Sequence, residues 1–205
     1  MTTKLYLFFQ LTFLFLSLFS SQLLASESSS SLTKDRLKII LNETINQFFD
    51  KELKRNNISI GIKNMPKKSR RDSFLQIRPK INFSLFRPSK KRHYYLEINP
   101  LLYKNNPGEF AIRAILIHEL EHVIDYLDLN FYQLSHFGLK YANNTQFRYD
   151  YERYTDIKAL KRGAGIGLAD YRIWIYKQIS PKDVVIKKMS YLTPEEIRSF
   201  LRNEN

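Results

Sequence analysis

The chain has 205 residues, which is long enough for one ordinary domain with a hydrophobic core and short for two. Its hydrophobic fraction of 43% and aromatic fraction of 14% exclude a chain that stays disordered, and the absence of cysteine excludes disulfides, thiolate metal ligands and cysteine nucleophiles. A formal net charge of +13 favours electrostatic association with anionic surfaces such as those of a cell envelope, and we expect no specific nucleic-acid partner.

The N-terminal segment has the three-part layout of a secretory signal peptide. Lys4 precedes an apolar run at 5–19, and a small-residue cleavage site follows at Ala25. This pattern predicts an exported protein, either periplasmic or secreted. An uncleaved N-terminal membrane anchor is the alternative, because the apolar run is only slightly short of the roughly 17–20 residues that a spanning helix needs.

The cleavage site and the residues after it set the predicted domain organisation. We predict a signal peptide at 1–25 and a flexible, serine-rich linker at 26–32, because short polar serine tracts bury no apolar surface. One folded domain then occupies residues 33–205.

The first half of this domain predicts a helix followed by short strands. Apolar residues recur at helical spacing between Thr33 and about Lys54, which predicts an amphipathic helix packed on the core. Alternating apolar and polar residues then predict three or four short strands, with candidates at 58–62, 74–77 and 94–98.

Two basic clusters lie between the predicted strands, at Lys67–Arg71 and Lys90–Arg92. We interpret them as solvated hairpin turns. The alternative is that they bind a polyanion. That alternative leaves open a second class of function, a non-catalytic basic protein that binds an anionic envelope polymer.

A long buried helix is predicted in the middle of the domain. Asn106 offers a side-chain cap, Pro107 the favoured first helical residue, and Glu109 the reciprocal partner of a capping box. From Phe110 to about Leu127 nearly every face is apolar, as expected for a helix surrounded by other elements. Charged residues inside such a helix need a partner.

Three further helices are predicted in the last third of the chain. One runs from about 149 to 162 and ends at Gly163, and another runs from about 169 to 179 before Pro181. A proline and two glutamates after Thr193 predict a short final helix.

The buried helix carries the sequence His118-Glu119-Leu120-Glu121-His122, an H-E-x-x-H element. Residues four apart lie on one face of a helix, so both imidazoles can bind one ion. Zinc suits the pair, because a catalytic zinc site takes three protein ligands and leaves a position for water. Glu119 is the predicted general base beside that water. Without a metal, these polar groups carry a large desolvation cost in an apolar helix.

The third ligand has to come from another element, and Glu152 is the candidate. Asp156 lies one helical turn later on the same face, where it can accept the free ring N–H of a ligand histidine. Two alternative third ligands stay open. Asp128 is one, although Asp125 stands where that arrangement needs a glycine to turn the chain; His136, in a tyrosine-rich loop, is the other.

An H-E-x-x-H element followed by a later helix with E-x-x-x-D resembles the gluzincin class of zinc metallopeptidases, the thermolysin-like side of the zincins. The resemblance covers roughly Tyr94 to Asp170. It implies an α+β, single-domain zincin-like fold in which a short mixed sheet packs on an active-site helix and a second ligand-bearing helix. It also implies zinc ligands at His118, His122 and Glu152, a catalytic base at Glu119, and a histidine-orienting carboxylate at Asp156.

The resemblance further implies Zn²⁺-dependent hydrolysis of peptide bonds in a peptide or protein substrate. A strand edge should line the cleft and pair with extended substrate, and residues 94–98 would be that strand. The class also has a tyrosine or histidine that stabilises the oxyanion, which spacing does not identify here. The candidates are His136, Tyr149, Tyr151, Tyr154 and Arg172.

Overall fold

The computed structural model describes residues 32–69, 73–80, 88 and 91–204. The predicted signal peptide lies outside these residues, as do 26–31 of the predicted linker and parts of both basic clusters. Within the described ranges, none of the helices combines the length and the apolar character that a membrane span requires.

Eight α-helices and three strands occur in the described residues. The helices are α1 (Lys34–Phe48), α2 (Leu101–Lys104), α3 (Glu109–Leu127), α4 (Phe131–Asn143), α5 (Thr145–Arg162), α6 (Gly165–Tyr176), α7 (Pro181–Ser190) and α8 (Pro194–Asn203). The strands are β1 (Ser59–Asn64), β2 (Leu75–Pro79) and β3 (His93–Ile98). A π-helical turn at Asp50–Lys54 follows α1, and a 3₁₀ turn lies at Lys67–Ser69. The mixture confirms an α+β architecture.

The three strands form a small mixed sheet in the order β1-β3-β2. β1 runs parallel to β3, and β2 runs antiparallel to it with Ile77 opposite Leu96. The prediction that residues 94–98 line the cleft as an edge strand is wrong, because β3 lies between the other two strands. Among the described residues, β2 is the outer strand on its side of the sheet.

Helix α3 runs through the centre of the domain and contacts α1, α5, α6 and β2. Its apolar residues between Ala111 and Val123 are buried, which agrees with a helix that is apolar on nearly every face, whereas Phe110 near its start is 58% exposed. The predicted cap is wrong in detail. The N-cap is Gly108, which has a φ of 90° and no side chain, and Asn106 Oδ1 instead accepts a hydrogen bond from its amide at 3.0 Å. Glu109 forms ion pairs with Arg36 and Arg113.

Helix α4 occupies a segment that we expected to be a loop. Asn130 and Gln133 form a capping box at its N-terminus, and none of its residues is buried. Helix α5 begins at Thr145, about four residues earlier than predicted, because Asn144 caps it by accepting from Phe147 N at 2.9 Å.

Glycines set the junction between α5 and α6. Gly163 ends α5 in the left-handed region with a φ of 116°, as predicted. Gly167 lies where α6 crosses α3, and a Cβ there would stand 2.8 Å from the carbonyl oxygen of Phe110. The missing side chain allows the two helices to pack closely.

Prolines begin the last two helices. Pro181 was expected only to end a helix, but it is the first residue of α7, which Ser180 caps. The final helix α8 has the predicted capping box between Thr193 and Glu196.

Part of the second basic cluster is not a solvated turn. The side chain of Arg92 is only 2% exposed, and its Nη1 donates to the carbonyl oxygens of Tyr126 at 3.1 Å and Leu129 at 2.8 Å. A cation at the C-terminus of α3 satisfies carbonyl groups that have no partner within the helix. This arginine therefore stabilises the helix that carries the candidate ligands.

Candidate metal centre and cleft

Three candidate ligands converge between α3 and α5. His118 Nε2 lies 3.2 Å from Glu152 Oε2, and His122 Nε2 lies 3.4 Å from the same oxygen. All three residues are buried, and their ligand atoms lie within 4.8 Å of one another. Ligand atoms about 2.0–2.2 Å from a tetrahedral ion stand roughly 3.3 Å apart. The three side chains therefore fit a single metal ion.

The imidazole of His118 is oriented by a buried ion pair. Its Nδ1 lies 2.8 Å from Asp156 Oδ1, and the same carboxylate accepts from Arg172 at 2.7 Å and from the amide of Leu192 at 2.8 Å. Burial alone would raise the pKa of Asp156, but the charges of Arg172 and His118 hold it below its ordinary value. An ionised Asp156 keeps the proton on Nδ1, so that the Nε2 lone pair faces the ligand position.

The imidazole of His122 is oriented by a different relay. Its Nδ1 lies 2.9 Å from the hydroxyl of Tyr151, which donates to Asp125 Oδ2 at 2.9 Å. Lys158 Nζ lies 2.6 Å from both carboxylate oxygens of Asp125. The tyrosine can accept the ring N–H while donating onward, which again leaves Nε2 free for an ion.

Sequence reasoning missed this second relay. Asp125 was considered only because it replaces the glycine that Asp128 would need to act as third ligand. Tyr151 was considered only as a residue that could stabilise the oxyanion. One signal was available, because Asp125 follows His122 by three residues and so lies on the same helical face. The contribution of Tyr151 depends on how α5 packs against α3, which spacing does not specify.

Glu119 faces the same space from between the two histidines. Its Oε2 accepts a hydrogen bond from the amide of Ile77 in β2 at 2.7 Å, and the residue is 7% exposed. Burial raises the pKa of this carboxyl, an effect that nearby His122 and His118 only partly offset. A buried, anchored carboxylate with a raised pKa is suited to accept a proton from water at neutral pH.

The candidate centre opens onto a cleft of about 590 Å³. Glu119, His122 and Glu152 line it, with β2 on one side and α4 on the other. The wall formed by α4 is largely apolar and includes Phe131, Leu134 and Phe137. We call this part of the cleft the apolar lobe.

A polar lobe of about 470 Å³ adjoins the apolar lobe. It is lined by α7 and by serine and charged side chains, including Ser73 and Ser190. Arg148 and Glu152 line both lobes, which therefore meet beside the candidate metal ligands.

None of the five predicted oxyanion candidates lines either lobe. Tyr151 and Arg172 lie behind the imidazoles, where they support His122 and Asp156. Two other tyrosines, Tyr141 and Tyr191, line both lobes instead. The Tyr141 hydroxyl donates to Glu152 Oε1, and the Tyr191 ring lies 5.8 Å from that of His118.

The alternative third ligands lie away from the centre. Asp128 and His136 are exposed, and neither belongs to the group formed by the histidines of α3 and Glu152. Within the described ranges, that group is the only set of three or more histidine, aspartate or glutamate side chains arranged to hold an ion.

Comparisons of the chain with protein-family models, with curated proteins and with solved structures give no match.

Proposed function

We propose that this protein is a zinc-dependent metallopeptidase of the gluzincin type, with zinc held by His118, His122 and Glu152. The observation that carries the proposal is the position of Glu119. Its carboxylate is buried next to both histidines and hydrogen-bonded to Ile77, and it lines the cleft together with His122 and Glu152. A structural metal site does not need a buried general base beside an open coordination position.

The ligand set alone does not select zinc. Two histidines and one carboxylate also suit Fe(II) in oxygenases, whereas a catalytic zinc commonly takes this set together with one water. Glu119 favours the hydrolytic use, because it can accept a proton from water at the remaining position. When bound, zinc supplies the acidity, lowering the pKa of water towards about 7 and polarising a carbonyl group.

The residues of the chain then divide the work of hydrolysis. Glu119 accepts the proton from the attacking water and passes it to the leaving amine. Ile77 N–H holds one oxygen of this carboxylate, which leaves the other oxygen to receive the proton. Tyr191 lines the cleft beside Glu152 and is the donor that we assign to the developing oxyanion, because the single proton of the Tyr141 hydroxyl is already donated to Glu152.

Strand β2 is the element that we assign to substrate alignment. Phe74 O and Lys80 N form hydrogen bonds with the β3 side of the sheet. Because backbone groups alternate in an antiparallel pair, Leu75 and Ile77 direct theirs away from β3 and towards the cleft. Since Ile77 N–H donates to Glu119 and Leu75 O accepts from Ser73 Oγ, the groups left for a substrate are the N–H of Leu75 and the carbonyl oxygen of Ile77. An extended peptide can pair with such an edge.

Export to the periplasm or the exterior is part of the proposal, and it depends on the predicted signal peptide at 1–25. Association with anionic envelope surfaces depends on the net charge of +13. A protein that bound such polymers as its main function would lose affinity steeply with rising salt. A metallopeptidase would instead lose its activity on treatment with a chelator.

The testing experiment compares zinc-loaded wild type with Glu119→Gln on a mixed pool of unstructured peptides. We expect the variant to retain one zinc ion and to lose turnover by about 10²–10⁴-fold, the usual contribution of a general base. Zinc content by atomic absorption controls for metal loss. Equal hydrolysis by the two proteins, or no hydrolysis by zinc-loaded wild type, would overturn the proposal.

A further inference from the structure

Arg148 occupies a position in the cleft that the proposed mechanism does not use. It lies one helical turn before Glu152 on α5, so the two side chains share a face of the helix. It is half-buried and lines both lobes. The residue therefore lies at the junction between the lobes, where Glu152 also lines both.

The guanidinium of Arg148 has no carboxylate partner among the described residues. Its guanidinium carbon lies 5.8 Å from the centroid of the Tyr149 ring. The neighbouring Glu152 is already engaged, since one of its oxygens faces the histidines and the other accepts from Tyr141. The charge of Arg148 is thus available to a ligand in the cleft.

The second arginine of the cleft provides a contrast. Arg78 donates to Gln76 Oε1 at 2.9 Å and lies 3.9 Å from Glu97 Oε2. Its guanidinium therefore has a carboxylate neighbour within the sheet, Glu97, which it shares with Lys63. Of these two arginines, only Arg148 lacks a carboxylate neighbour among the described residues, and its fork of N–H donors has the geometry that binds a carboxylate through two parallel hydrogen bonds.

Building on the proposed function, we propose that Arg148 is a specificity-determining residue that binds a carboxylate of the peptide substrate. Four residues of α-helix separate Arg148 from Glu152 by a rise of about 6 Å. An extended peptide advances roughly 3.3–3.6 Å per residue. The bound carboxylate therefore lies about one to three residues from the scissile bond. It belongs either to an acidic side chain or to the C-terminus of the substrate.

Binding is measured first in the zinc-loaded Glu119→Gln variant, which holds peptides without cleaving them. The probes are fluorescent peptide amides in which a single Glu moves along an otherwise neutral sequence, matched peptides with Gln at each position, and the all-Gln peptide with a free C-terminus. We expect a Kd about 10–100-fold lower for one carboxylate-bearing probe than for its neutral match, the usual effect of a charge-assisted pair. A preference for an internal Glu identifies a side chain, and a preference for the free acid identifies the C-terminus.

The assignment to Arg148 is tested in three variants. The quantity compared is the ratio of the Kd of the neutral probe to the Kd of its carboxylate-bearing match. Arg148→Gln should bring the ratio close to one, and Arg148→Glu should favour a Lys-bearing peptide over the Glu-bearing one. Lys161→Gln, an exposed residue of the same helix, controls for the loss of one positive charge. A ratio that stays high in Arg148→Gln, or that is near one while Arg148 is present, overturns the inference.

The ratio of kcat/KM for the same peptide pairs in the enzyme with Glu119 intact gives a second readout. Because a ratio does not depend on the active fraction of each preparation, partial misfolding does not imitate the effect. Hydrolysis of all peptides at equal rates overturns the carboxylate preference but leaves the peptidase proposal standing. Failure to hydrolyse any peptide, with the binding ratio intact, overturns the peptidase proposal alone.

Discussion

The two sides of the candidate metal centre hold their histidines by different means. Behind His118, Asp156 and Arg172 form a charged pair in which neither side chain is more than 3% exposed. Behind His122, a tyrosine hydroxyl leads to Asp125, whose side chain is 30% exposed and which pairs with Lys158. Both arrangements keep the proton on Nδ1, but only the first lies in the interior of the fold.

The difference teaches which supports also hold the domain together. Asp156 connects α5 to Arg172 on α6 and to the amide of Leu192 before α8, so its charge links three segments. The hydrogen bonds of the relay through Tyr151 link only α3 and α5, and the relay ends at the partly exposed Asp125. We therefore expect changes behind His118 to affect both folding and metal binding, and changes behind His122 to affect metal binding more selectively.

The largest expected effect comes from removing a ligand on either side. Each of His118→Ala, His122→Ala and Glu152→Ala should reduce zinc content from about one equivalent to near zero, because two remaining protein ligands do not make a closed site. Equilibrium dialysis followed by metal analysis measures this. Full occupancy in Glu152→Ala would reassign the third ligand to Asp128 or His136.

A smaller effect, and the one that distinguishes the two sides, is expected from Asp156→Asn. Removing the charge leaves Arg172 buried without compensation, which costs about 3–5 kcal/mol of unfolding free energy. Zinc affinity should also fall, by about 10–100-fold. Denaturant unfolding of the metal-free variant and zinc titration measure the two effects separately. Unchanged metal-free stability would remove the proposed structural role of this side.

On the other side, Tyr151→Phe deletes the hydroxyl between His122 and Asp125 and little else. We expect zinc affinity to fall by about tenfold, the lower end for the loss of a supporting contact, because the imidazole can then adopt other orientations. The unfolding free energy should fall by only about 1–2 kcal/mol. A loss of stability as large as that of Asp156→Asn would contradict the contrast between the sides.

The pH dependence of stability should differ between the metal-free and zinc-bound protein. Burial alone would lower the pKa of His118, but the carboxylates of Asp156 and Glu152 outweigh it and raise that pKa to about 9. Because this pKa is higher in the folded than in the unfolded state, protonation of His118 stabilises the fold. The stabilisation is fully present below the unfolded-state pKa of about 6.5 and is lost as the pH rises through about 9. Thermal unfolding of the metal-free protein should therefore move to lower temperature across this window. Zinc-bound protein should not follow the same trend, because binding requires the deprotonated imidazole.

The smallest effect is expected at the alternative ligands. Asp128→Asn and His136→Gln should leave zinc affinity unchanged within error, since both residues are exposed and lie outside the candidate group. Isothermal titration with zinc compares them with wild type. A tenfold loss in either variant would show that the ligand set has been wrongly assigned.

Much of the fold could be predicted wherever one local pattern dominated. The apolar run that forms α3 and the alternation that forms β3 each required only their own residues. Helix α4 was missed although Phe131, Leu134 and Phe137 recur at helical spacing, because we interpreted its tyrosine-rich sequence as a loop. Pro181 was misread because proline both ends one helix and begins the next.

The residues of the candidate site also fall into those that a local sequence pattern predicts and those that it does not. Helical spacing predicted the histidines of α3 and the pair of Glu152 with Asp156, since residues four apart lie on one face of a helix. The contributions of Tyr141, Tyr191 and the edge of β2 depend on packing between elements that are distant in sequence. No spacing encodes that packing, so these residues required the structure.

The measurement that tests the central claim most directly is anomalous diffraction at the zinc absorption edge from crystals grown with zinc. We predict one strong peak within about 2.0–2.2 Å of His118 Nε2, His122 Nε2 and a carboxylate oxygen of Glu152. A crystal without a peak between α3 and α5, or with its ion held by other residues, would contradict the account.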